Sequence, residues 1–168
     1  MDTIIASAKN LLTVPVAFTY VYKDSTFHIG LGRKTADASI LGFNLREYQI
    51  VTYESSWQYS ERDGDVYRRL EDANTEGLKR TFSSLIGAYV STIVADQTSV
   101  MINFDCGFSL LHDFANIVFD EDVLSIFLPH DLCLGFSFKL GWRAGRSTAP
   151  WNDLYWKTIE ASQMVIGK

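Results

Sequence analysis

The chain has 168 residues, 47% of them hydrophobic and 14% aromatic, and a formal net charge of -5. That length and composition suit a single domain, residues 1–168, whose core buries about two-thirds of the unfolded surface, and they exclude extended disorder. The acidic balance, with no basic stripe interleaved with aromatics, excludes direct binding to nucleic acid or to an anionic membrane. No run approaches the roughly 20 apolar residues of a membrane span.

Ile4, Ile5, Ala8, Leu11 and Leu12 recur at helical spacing and predict a short amphipathic helix that Pro15 ends. Asp2, Lys9 and Asn10 interrupt Met1 to Leu12, which lacks the basic start and apolar run of a secretory signal, so a cytoplasmic location is expected. Val16 to Tyr22 and Phe27 to Leu31 are β-branched and aromatic, and Lys23 to Thr26 supplies a turn, which predicts a hairpin. Tyr48 to Tyr59 reads as a further extended stretch, stopped by the turn signal Asp63-Gly64.

From Val66 to Ile86 the period becomes helical. Val66, Leu70, Leu78, Phe82, Leu85 and Ile86 share one stripe, and Asn74, Thr75 and Gly77 divide the predicted helix into two pieces. After Gly87, strands are expected at Tyr89 to Ala95, Val100 to Phe104, Phe108 to Leu111, Ala115 to Phe119, Val123 to Leu128 and Leu132 to Leu140. The short polar connections predict one continuous antiparallel meander. Trp151, Leu154, Tyr155, Ile159, Ser162, Val165 and Ile166 then form one face of a terminal helix, with Pro150 in its first turn. The expected fold class is therefore α+β: an N-terminal hairpin and a second-half meander, with a central and a C-terminal helix packed on the sheet. Val16 to Gly30 and Val90 to Gly107 echo each other as strand, polar turn with Asp, strand and glycine.

Charge is distributed unevenly. Thr81 to Phe138 contains no Lys or Arg, yet it carries Asp96, Asp105, Asp113, Asp120, Glu121, Asp122 and Asp131, all at predicted turns. Asp is a favoured turn residue for its own local reasons. A surface of one sign also produces a field that steers a basic partner, and Asp120, Glu121 and Asp122 with Asp105 are its strongest candidates. Trp142 and Arg143, flanked by Lys139 and Arg146, are of the residue types that anchor interfaces; the alternative is that Trp142 covers one end of the core with the arginines solvated.

A second constellation is His112-Asp113 and His130-Asp131, which a meander would bring to the same end as Asp96. Two imidazoles and three carboxylates could hold a transition metal or act in acid-base chemistry, although neither pair has the spacing of a known zinc motif. Gly107-Phe108-Ser109 lacks the nucleophile-elbow pattern, and Gly30-Leu31-Gly32 fits neither the Walker loop nor the dinucleotide fingerprint. Cys106 and Cys133 are expected to be reduced and a strand length apart.

Leu85-Ile86-Gly87-Ala88-Tyr89-Val90 through Ile102-Asn103-Phe104-Asp105-Cys106-Gly107-Phe108-Ser109-Leu110 resembles the strand-turn-strand pattern of small bacterial proteins encoded beside toxins. The chain as a whole is similar in composition to immunity proteins of contact-dependent and other polymorphic toxin systems. The resemblance implies a cognate toxin domain as partner, often a nuclease with a basic active site, and carries no functional residue over. The expected function is thus a non-enzymatic, cofactor-free inhibitor that binds a basic protein. The alternatives are a small metal-dependent enzyme or ligand-binding domain using His112, Asp113, His130, Asp131 and Asp96, and a structural subunit of a homo-oligomer.

Overall fold

The computed structural model describes residues 2–22, 26–35, 46–53, 57–61, 66–70, 72–113, 122–148, 156–159 and 164–167. Helix α1 (Asp2–Asn10) runs into a 3-10 turn (Leu11–Thr13), followed by β1 (Val16–Val21), β2 (Phe27–Lys34), β3 (Arg46–Thr52), β4 (Trp57–Ser60) and β5 (Arg68–Arg69). Helix α2 (Thr75–Ser83) then precedes β6 (Val90–Ala95), β7 (Ser99–Phe104), β8 (Ser109–Asp113), β9 (Leu124–Leu128), β10 (Leu132–Ser137), β11 (Gly141–Arg146), β12 (Lys157–Thr158) and β13 (Met164–Gly167). Two antiparallel sheets result, with orders β1-β2-β3-β9-β10-β11-β12 and β13-β6-β7-β8-β4-β5. Among the described residues no helix is long and apolar enough to cross a membrane.

The expected α+β fold with one sheet is corrected to a mostly β fold with two. The meander breaks after β8: β6, β7 and β8 stay together, whereas β9 crosses to pair with β3 through Gln49 opposite Phe127 and Thr52 opposite Leu124. Its physical cause lies in strand partners, because the open side of β8 is taken by β4, with Trp57 opposite His112. The stretch from Tyr48 to Tyr59 is divided likewise, β3 in one sheet and β4 in the other. The strand expected at Ala115 to Phe119 lies outside the described residues.

The long central helix is also absent. Val66 is 84% exposed and off any packed stripe, Arg68–Arg69 pair with Gln58 and Tyr59 as a strand, and helix begins only after Asn74. Asn74 Oδ1 accepts the Gly77 N–H at 2.7 Å, so the residues expected to divide a helix instead start one. Of the expected C-terminal helix, Pro150, Trp151, Leu154, Tyr155 and Ser162 lie outside the described residues, and the described part forms strands. Lys157 and Thr158 pair with Ala144 and Arg143, and Met164–Gly167 pair with Thr92–Ala95. Val165 is 52% exposed and its neighbour Ile166 only 1%, an alternation of period two.

The expected N-terminal hairpin is present as β1 and β2. With β3 it forms a three-stranded meander preceded by α1, after which β4 and β5 cross to the other sheet; α2, β6, β7 and β8 repeat the order, and β9 and β10 cross back. The two hairpins that echo each other in sequence, β1 with β2 and β6 with β7, thus hold equivalent places. An antiparallel bridge between Pro15 and Tyr89 joins the two units, supported by Val16 N–H to Ala88 O and Gly87 N–H to Val16 O, both 2.8 Å. Gly87 adopts φ 94° there, a conformation that a side chain would strain.

The core lies between the sheets. Ile29, Ile50, Ile126, Leu134 and Ala144 form one buried in-register row on the first sheet, and Ala95, Val100, His112 and Trp57 form one on the second. Phe27 meets Trp57 with ring centroids 5.2 Å apart, and Phe138 meets His112 at 5.5 Å, so the two faces interlock through aromatic rings. Each buried aliphatic or Phe side chain contributes roughly 1.5–3 kcal/mol on leaving water.

Candidate functional site on the open face of the second sheet

The expected acidic and histidine residues do not converge. Asp96 and Asp113 share one end of the second sheet, because Asp96 Oδ1 accepts from Ser99 N–H at 2.9 Å and Ser99 stands opposite Asp113. Asp96 also takes the Thr98 hydroxyl and amide, and these bonds, the Thr98 hydroxyl foremost, hold its carboxyl below the usual range. Asp131 lies in the turn between β9 and β10 of the other sheet, where Ser147 and Thr148 donate to it and lower it similarly. His130 and Asp131 both take positive φ in that turn. His112 points into the core, fully buried, and neither ring nitrogen has a hydrogen-bond partner among the described residues. Burial pushes its pKa down to about 4, against a smaller upward pull from Asp113. Among the described residues no three His, Cys, Asp or Glu are placed to hold a metal ion.

The expected anchors are placed inside. Trp142 is 1% exposed beneath Phe136, whose ring lies 5.2 Å away, and Arg143 donates to Asp122 at 2.8 Å with both side chains buried. Asp120 and Glu121 lie outside the described residues. The outer face of the first sheet is closed over these groups. Ser125 and Cys133 are fully buried there, and the indole of Trp156 packs so tightly on Gly145 that an added Cβ would come within 2.7 Å of it. Burial, reinforced by Asp122, pushes the Cys133 thiol up to about 12, so it remains protonated and unreactive. Cys106 is exposed in the turn after β7.

The outer face of the second sheet differs. Val165, Val94, Met101, Leu111 and Gln58 stand side by side across β13, β6, β7, β8 and β4, all at least partly exposed. Alternation places polar groups outward on a sheet face that meets water, so four apolar side chains in register are a departure. Beside them runs a polar row in which Asn103 donates to Thr92 Oγ1 and accepts from Ser109, both at 2.8 Å. Asp96 and Asp113 bound the face at one end and Asp105 at the other; β6, β7 and β8 carry no Lys or Arg, and Arg69 stands at the far edge on β5. Sequence reasoning missed Val94, Met101, Leu111 and Val165. The signal was readable in β6 and β7, where Val94 and Met101 occupy the outward phase of the alternation.

At the Asp105 end the face borders a cleft of about 320 Å³ lined by Leu12, Thr13, Tyr89, Val90, Ser91 and Asp105. Asp105 is fixed there by two bonds to one residue: its Oδ1 accepts from Tyr89 N–H at 2.8 Å and its own N–H donates to Tyr89 O at 2.9 Å. No protein-family model, curated protein or solved structure matches the chain.

Proposed function

We propose that this chain is a binding protein that recognises a basic protein, a toxin domain that it neutralises, through the outer face of its second sheet. The observation that carries the reading is the in-register apolar row of Val94, Met101 and Leu111, partly exposed, and Val165, 52% exposed, between acidic ends. Apolar surface retained at the centre of a patch with charge at its margin is the arrangement of a protein interface, and the acidic margin speeds encounter with a basic partner. A second copy of the chain fits this face less well, because both ends carry carboxylates and two-fold pairing with the strands aligned sets acid beside acid. The acid-base and nucleophilic alternatives draw no comparable support, since His112 is enclosed and Asp96 and Asp131 are engaged in tying off turns.

Calorimetric titration with the protein encoded beside this chain's gene tests the reading. Tight one-to-one binding, lost by a factor of at least about 100 when Met101 and Leu111 are both changed to Lys, is the expected result. Undiminished binding by that folded variant rejects the face as the interface, and self-association of the unmodified chain at low salt with no response to the neighbour assigns the face to a second copy.

A further inference from the structure

We infer that the cleft at Asp105 is a receptor for a lysine side chain of the partner, an inference that rests on the binding reading above. Its chemistry is selective. Tyr89, 39% exposed, and the edge of Leu12 give it apolar surface, while Thr13, Ser91 and Asp105 supply oxygen atoms and no lining residue is basic. The Thr13 hydroxyl spends its proton on Asn10 O at 2.7 Å, which leaves its oxygen as an acceptor. Asp105 Oδ2 has no partner among the described residues, and the pair of bonds to Tyr89 prevents the carboxylate from swinging away. An occupant must therefore combine a methylene stem with a cationic donor that asks for acceptors alone.

Lysine and arginine both meet that description, and the geometry separates them. A guanidinium engages a carboxylate best as a fork on both oxygens, and here it would have to share Oδ1 with the Tyr89 N–H. A primary ammonium is a point charge with three donors, which Oδ2 and the Thr13 and Ser91 hydroxyl oxygens can share. The cleft volume, near the lower limit for small-molecule sites, suits one side chain better than a larger ligand.

The experiment uses the whole chain, labelled with nitrogen-15, and butylammonium as probe. Saturable shifts of the Tyr89, Ser91 and Asp105 amides with a Kd on the order of tens of millimolar are expected, as befits one exposed ion pair on a short stem. Asp105→Asn keeps the acceptor for the Tyr89 N–H, so the fold should persist while the probe binds about fivefold more weakly. Butylguanidinium should also bind more weakly than butylammonium. Equal shifts with butanol would reduce the cleft to an apolar dent and overturn the inference, as would binding unaltered in Asp105→Asn. Spermidine binding on the order of micromolar would overturn the assignment to a protein lysine in favour of a free polyamine. None of these outcomes depends on the protein partner, so an unresponsive cleft in a chain that still binds its neighbour through Met101 and Leu111 refutes this inference alone.

Discussion

Asp122 Oδ1 lies 2.8 Å from Arg143 Nη2, and the two side chains keep only 6% and 9% of their surface in water. Burial pushes the Asp122 carboxyl above the usual carboxylate range, and the hydrogen bond and charge of Arg143 pull it only partly back. Its Oδ2 has no hydrogen-bond partner among the described residues. Such a pair is held less by its own attraction than by the cost of leaving either charge alone. Arg143→Met should therefore destabilise the chain by about 3–5 kcal/mol, whereas Asp122→Leu combined with Arg143→Met should restore most of that loss. Urea unfolding of the single and double variants measures both. A double variant no more stable than the single one would mean that packing, rather than stranded charge, sets the cost.

The same closed face makes a steric prediction. A methyl group at position 145 would meet the buried Trp156 ring at 2.7 Å, and Trp156 is itself only 2% exposed. Gly145→Ala should cost about 1–3 kcal/mol, the usual range for overpacking a filled interior, and should shift the fluorescence of Trp156 to the red as its indole is displaced toward water. An unchanged melting temperature with unchanged emission would show that the ring has room to yield.

His112 predicts how stability depends on pH. An unfolded histidine titrates near 6.5 and the folded one at about 4, so between these values the unfolded chain takes up a proton that the folded chain refuses. Stability from this group is complete above pH 6.5, is lost as pH falls toward 4 and is flat below that; the full span is about 3 kcal/mol. His28, lowered chiefly by burial against a smaller opposing effect of its Gln49 hydrogen bond, acts in the same direction. Replacing His112 by Phe, which suits its neighbours Trp57 and Phe138, should remove about 2–3 kcal/mol of the stability change between pH 7 and about 4.5. Denaturant midpoints across that range provide the check, and parallel curves for the two proteins would contradict the enclosed, unpartnered state of this ring.

These residues mark how far the sequence was legible. Local pairing was: β1 with β2 and β6 with β7 follow from short polar turns between β-branched runs, and the turn role of Asp96 follows from the chemistry of Asp beside a neighbouring backbone N–H, whereas Asp105 and Asp131 accept from N–H groups 16 and 17 residues away. Partnership between distant strands was not, because periodicity says which way a side chain points but not which strand lies beside it. The crossings after β3 and β8 undid the expected gathering of His112 with His130, while Asp96 and Asp113, joined through β6 to β8, still share one end. The terminal run Met164-Val165-Ile166-Gly167 is too short for period two to be told from a helical stripe by sequence alone. Trp142 and Arg143 read equally as interface anchors and as a core-covering indole beside a solvated guanidinium, and the burial of Arg143 follows from neither, because alternation on β11 turns it to a face that is also covered.

The face that carries the proposed function differs from the core in what its apolar residues do for stability, and adjacent positions on one strand separate the two. Met101 and Ile102 are neighbours on β7, yet Met101 points outward beside Val94 and Leu111 and is only partly covered, whereas Ile102 points inward beside Ile93 and Leu110 and is fully buried. Truncating Ile102 to Ala removes apolar surface that folding takes out of water and leaves a cavity between two sheets, for which about 2–5 kcal/mol is the usual loss. Changing Met101 to Ser deletes contacts that folding leaves incomplete, and Ser at this partly exposed position reaches water with its hydroxyl. Its cost should stay below about 1 kcal/mol, and Leu111→Thr, which also gains in strand preference, should behave alike. If side chains of so little structural value are kept apolar for a partner, the same two substitutions should weaken binding far more than they weaken the fold. Urea unfolding of Met101→Ser, Leu111→Thr and Ile102→Ala gives the comparison. Outward replacements as damaging as the inward one would place this face under cover in the folded chain, where no partner could reach it.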